Sequence, residues 1–139
     1  MSRTCMGLSY NLLCFLVGLG LGVLTETAAW RLGLWRYESR VTPILNVVVM
    51  FGLVHGLVLA GVVGAHRHSA IGIPLLFMNG VFIGVGYEAL NQFKLGAWTW
   101  GDRSLLGIRR PVDKAATVGV AWGAAPVITF LIAKALLNR

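Results

Sequence analysis

Two glutamates hold most of the chemistry this sequence offers. Glu26 and Glu88 each lie in a long apolar run and follow glycines at helical spacing, Gly18-x-x-x-Gly22-x-x-x-Glu26 and Gly80-x-x-x-Gly84-x-x-x-Glu88. Each also precedes an aromatic and basic cluster. Arg31-Leu32-Gly33-Leu34-Trp35-Arg36-Tyr37-Glu38-Ser39-Arg40 returns as Lys94-Leu95-Gly96-Ala97-Trp98-Thr99-Trp100-Gly101-Asp102-Arg103. The offset is 62 residues at the glutamates and 63 at the tryptophans, so the second copy carries one inserted residue between them. Acids inside apolar segments are costly and mark a specific task or partner. Two of them facing each other repel, so the pair is expected to hold one proton between them. A neutral acid beside an ionised one is the arrangement that general acid–base chemistry uses. In this reading Glu88, with Asn91 nearby, is the general acid, and Glu26 is its ionised partner or base. In the competing reading each glutamate is a structural tie to Arg31, Arg36, Lys94 or Arg103.

The aromatic residues divide in the same way. Trp35, Tyr37, Trp98 and Trp100 either anchor helix ends at a membrane interface or fold inward and roof a cavity. Trp30, one turn beyond Glu26, belongs with them. Aromatic faces attract cations, so acids beneath such a roof suit a carbocation reaction or a bound organic cation. Arg40 and Arg103 end the two copies and reach either lipid phosphate or the polar head of a substrate. Asp102 is matched by Ser39 and either pairs with Arg103 or joins that site. His55 lies mid-segment beside Gly52 and Gly56. It can hydrogen-bond across helices or relay protons, and no second mid-segment histidine completes a haem pair. Asn91 and Gln92 follow Glu88 where the first copy has Ala29 and Trp30, so the second copy is the more polar. Asn46 is placed to join this polar layer. No spacing suggests a metal site, and no cofactor is expected.

The elements that position these residues follow from composition. Of 139 residues, 57% are hydrophobic and only 12% charged, against about 25% charged in soluble domains. Four apolar stretches are long enough to span a bilayer, which takes about 20 residues: roughly 8–29, 43–65, 69–91 and 115–136. The expected fold is an all-α integral membrane protein of one domain, residues 1–139. Its four transmembrane helices form two parallel two-helix repeats, about 8–65 and 69–136. An even number of spans per repeat makes both copies enter from the same side, with a pseudo-twofold axis along the membrane normal. Glu26 and Glu88 then sit level, near one interface. Small residues four apart let helices approach closely, so the simplest packing puts the first and third helices together with their glycines touching. Thr27-x-Ala29 is a tolerable leader-cleavage pattern, but the first helix has a counterpart mid-chain, so it is expected to be retained.

Charge sets the orientation. The motif loops hold Arg31, Arg36, Arg40, Lys94, Arg103, Arg109, Arg110 and Lys114; the other side holds Arg3, Arg67, Lys134 and Arg139. The positive-inside rule therefore places the motif loops in the cytoplasm, with the inner membrane as the expected location. The net charge of +7 is accounted for by topology and lipid contact and does not call for nucleic acid. The expected partners are the lipid bilayer, a hydrophobic small molecule and a second copy of the chain, since four helices leave little interior room. The leading functional expectation is an enzyme acting by acid–base chemistry on an isoprenoid or lipid-like substrate, as a cyclase or isomerase. The alternatives are a proton- or cation-coupled small transporter, and a non-catalytic subunit or assembly factor whose Gly-x-x-x-Gly faces bind partner helices.

Overall fold

A computed structural model describes residues 3–64, 72–101 and 110–137. Four helices are long and apolar enough to cross a membrane, Ser9–Leu32, Val41–Val63, Gly72–Leu95 and Ala116–Leu137. The first helix runs Arg3–Leu32 and the fourth Arg110–Leu137. The second begins as α-helix over Val41–Leu45 and widens to π winding over Asn46–Val63, and the third does so over Asn91–Leu95 after Gly72–Leu90. The expected segments match these helices to within a few residues. Large apolar side chains such as Leu12, Leu16, Leu24 and Phe82 are exposed on the outside.

The packing corrects one expectation. The first and third helices do not meet through their glycines. Each instead packs on the helix that follows it in the chain, while the second and fourth meet at the centre. Gly18 lies against the Phe51 carbonyl and the Gly56 backbone, and Gly80 lies in the same way against the Trp122 carbonyl and Gly123. Gly22 makes room for the Phe51 side chain and Gly84 for that of Trp122. The physical reason is bulk at the centre: Phe51 and Trp122 stack on each other with ring centroids 5.4 Å apart. Their own bases need a groove behind them, and the glycines supply it. One core cluster gathers Cys14, Leu59, Ala60, Leu76, Phe130 and Ala133, and a second gathers Met50, Phe51 and Ala125.

The two tryptophan segments, which lie between apolar stretches, form a strand pair. β1 (Trp35–Tyr37) and β2 (Trp98–Trp100) pair antiparallel, with Trp35 opposite Trp100, Arg36 opposite Thr99 and Tyr37 opposite Trp98. Glu38 N–H donates to the Ala97 carbonyl and Gly101 N–H to the Leu34 carbonyl, closing the ribbon at both ends. The chain is thus not wholly α. Gly33 and Gly96, with φ of 64° and 55°, turn the chain out of the first and third helices into the strands, where a side chain would be strained.

The inserted residue has a defined place. Gly96 N–H reaches back to the Asn91 carbonyl at 2.8 Å, across five residues. One extra residue in a helix is accommodated by a π turn, and Asn91–Leu95 is wound that way. The turn takes up the insertion, so Trp98 arrives over Glu88 much as Trp35 arrives over Glu26.

Candidate functional site

The site begins with the alternation of the ribbon. Trp35 and Tyr37 are two apart and so share a face, as do Trp98 and Trp100. The register sets Trp35 against Trp100 and Tyr37 against Trp98. Both are positions without mutual backbone hydrogen bonds, where side chains come closest. The rings meet edge to face, at 5.8 Å for Trp35 and Trp100 and 6.2 Å for Tyr37 and Trp98. Arg36 and Thr99 point to the other face and are exposed.

All four aromatics turn toward the acids. Trp35 Nε1 donates to Glu26 Oε2 at 3.2 Å and Tyr37 Oη donates to the same oxygen at 2.5 Å. Asn46 Nδ2 donates to Glu26 Oε1. In the second copy Trp98 Nε1 donates to Glu88 Oε2 at 3.1 Å, and Trp100 Nε1 and Gln92 Nε2 donate to Oε1 at 2.5 and 2.8 Å. These partners are all neutral donors, and an indole N–H can only donate. No lysine or arginine stands among them. Arg31, Arg36 and Lys94 are exposed, and Arg103 lies outside the described residues. Each carboxyl group keeps one oxygen with a single donor, Oε1 of Glu26 and Oε2 of Glu88. Burial, and then the bond to Glu26, push the Tyr37 phenol above its ordinary range, so it remains a donor.

Glu26, 7% exposed, and the half-buried Glu88 line one cleft. Trp35, Tyr37, Trp98 and Trp100 roof it; Phe51, Val118, Ala121 and Trp122 give it apolar walls; Thr25, Asn46 and Thr117 complete it. Counting the open space at its mouth, the cleft measures about 440 Å³. The interior is tight: water centres have only about 30 Å³, room for about two waters. Anything larger has room only toward the mouth. Lys114 Nζ stands 5.7 Å from the Trp100 ring centroid, a cation already drawn to the roof.

Several expected site residues lie elsewhere. Trp30 is 75% exposed on the outer surface; the aromatic donors to Glu26 are Trp35 and Tyr37 of the strand instead. Arg40 is exposed at the start of the second helix. Asn91 is fully buried but does not line the cleft. Its Oδ1 accepts from Ala97 N–H at 2.7 Å and Trp98 N–H at 3.3 Å, and its Nδ2 donates to the Trp98 carbonyl at 2.9 Å. It therefore fixes the strand that carries the tryptophans. His55 is buried behind the cleft, its Nδ1 2.7 Å from the Met50 carbonyl and its ring stacked 5.1 Å from Trp122. Asp102 and Arg103 lie outside the described residues.

Phe51, Trp122, Thr25 and Thr117 were not singled out from the sequence. Phe51 and Trp122 had a signal available, one aromatic in each copy immediately before a glycine, Phe51-Gly52 and Trp122-Gly123. The two threonines had none. Comparison with known proteins finds no matching family model, no similar curated protein and no similar solved structure.

Proposed function

We propose that the chain is an integral membrane enzyme that uses Glu26 and Glu88 as an acid–base pair on an apolar, isoprenoid or lipid-like substrate, as a double-bond isomerase or cyclase. The observation that carries this reading is that both carboxyl groups open on one cleft with aromatic and apolar walls. Glu88, the more exposed of the two, exchanges protons with water and gives one to a substrate double bond. Glu26, held by three donors, balances the charge that develops and takes a proton back. The ring faces around the cleft stabilise a passing carbocation.

The repeat belongs to the same proposal. An antiparallel strand pair has a local twofold axis, here at Arg36 and Thr99. The glycine contacts of the first helix pair, Gly18 and Gly22 on Phe51, recur in the second as Gly80 and Gly84 on Trp122. Both support two parallel repeats about an axis along the membrane normal. The motif loops then face the cytoplasm of an inner membrane, where the basic residues cluster.

The test is conversion of linear isoprenoid polyenes by membranes carrying the protein, with products followed by chromatography and mass spectrometry. General acid–base groups contribute about 10²–10⁴-fold, so Glu26→Gln and Glu88→Gln should each lower conversion at least about 100-fold. Full conversion by both variants would sink the proposal. A second reading, a proton-coupled carrier of organic cations, uses the same acids and is favoured by Lys114 resting over Trp100. Flux into proteoliposomes that ignores both a pH gradient and the Glu→Gln changes would rule it out.

A further inference from the structure

Among the described residues that line the cleft, one buried polar atom has no partner. Asn46 is 5% exposed and lines the cleft, and its Oδ1 is buried without a hydrogen bond. Its orientation is fixed by its other end. Nδ2 donates to Glu26 Oε1 and lies 3.3 Å from Tyr37 Oη, and a flipped amide would set its oxygen against a carboxylate. A buried acceptor left unpaired is costly, and such groups in native proteins call for an explanation. Of the donors that line the cleft, those of Trp35, Tyr37 and Asn46 itself are spent on Glu26, and the hydroxyls of Thr25 and Thr117 make no bond to Oδ1. The walls beyond are Phe51, Val118 and Ala121. A ligand that completes this site therefore joins an apolar body to a hydrogen-bond donor.

We infer that Asn46 is a specificity-determining residue, whose Oδ1 accepts a hydrogen bond from the hydroxyl group of a long-chain alcohol bound in the cleft. This rests on the proposed apolar substrate and adds to it the chemical class of the polar end. An alcohol and its parent hydrocarbon share the apolar walls and differ only at Asn46.

Tryptophan fluorescence reports on this directly, because Trp35, Trp98, Trp100 and Trp122 all line the cleft. The purified full chain in lipid nanodiscs is titrated with farnesol, with farnesene as the hydrocarbon and with farnesylamine. One hydrogen bond to an otherwise unpaired buried acceptor should make farnesol bind about 10-fold tighter than farnesene. In Asn46→Leu the two should bind within about twofold, with farnesene affinity kept as the sign that the cleft is intact. If that variant does not fold, Asn46→Gln, which moves the acceptor, should weaken farnesol and spare farnesene. Equal binding of farnesol and farnesene to the native chain would mean that water alone meets Oδ1, and would overturn the inference while leaving the apolar cleft standing. A preference for farnesylamine alone would assign the polar end to the carboxylates and overturn it too. Binding of none of the three would remove the proposed substrate class, and this inference with it.

Discussion

At the scale of single residues, the cleft is organised by what each side chain can donate. The two acids meet indole, phenol and amide donors, so their surroundings resemble a polar socket more than a set of ion pairs. Asn91 acts one step back. Its amide occupies three backbone groups of Ala97 and Trp98 and thereby aims Trp98 and Trp100 at Glu88. The first copy has Ala29 at the matching place and manages with backbone hydrogen bonds alone, Gly33 N–H to the Trp30 carbonyl and Leu34 N–H to the Ala29 carbonyl. Leaving buried backbone groups unpaired costs about 1–3 kcal/mol, so Asn91→Ala should destabilise the protein by about 2–3 kcal/mol. A thermal shift in detergent checks this, and an unchanged midpoint would show that the strand holds itself. Three residues after Glu88 places Asn91 on the same side of the helix, but the chain beyond the π turn folds back over it and its amide is taken up by Ala97 and Trp98.

At the scale of elements, two features decide the geometry, the glycine grooves and the strand pair. The Gly-x-x-x-Gly pattern announced close packing. It could not say against which helix, because both candidates are apolar and both are long enough. A Cβ at Gly18 would fall 2.4 Å from the Phe51 carbonyl oxygen and one at Gly80 would fall 2.4 Å from that of Trp122, whereas Gly20 and Gly86 face open space. Overpacking costs about 1–3 kcal/mol, so Gly18→Ala and Gly80→Ala should each lower stability by that amount. Gly20→Ala and Gly86→Ala should be neutral or slightly stabilising, since alanine favours helix over glycine. Unfolding midpoints of the four variants check this, and equal losses at all four positions would contradict the packing. The strands were hidden for another reason. Three residues each, they are too short to show alternation, and they exist only because the opposite copy supplies the pairing edge.

At the scale of the whole molecule, the chain reads as two halves closed over a shared cleft, each half bringing one acid and two roof aromatics. The glycine faces that might have bound a foreign helix are occupied inside the bundle by Phe51 and Trp122. Orientation is the property that remains to be measured. With the motif loops in the cytoplasm, a cysteine at Ser39→Cys, in a chain lacking Cys5, should react with a membrane-impermeant maleimide in inverted vesicles and not in intact cells. The opposite pattern would reverse the topology and place the mouth of the cleft on the outer side.

The sequence by itself determined the number of apolar segments, the internal echo and the two acids, because these rest on local composition and on counting residues. It also determined that one residue was inserted in the second copy. Only the tertiary structure decided which helices touch, that the two tryptophan segments pair as strands, and that Glu26 and Glu88 open on the same cleft. Those outcomes depend on surfaces far apart in the chain. Helix against helix in apolar surroundings is selected by shape and not by hydrophobicity. The fit of Phe51 over Gly22 and of Trp122 over Gly84 is a property of shape that spacing alone does not carry.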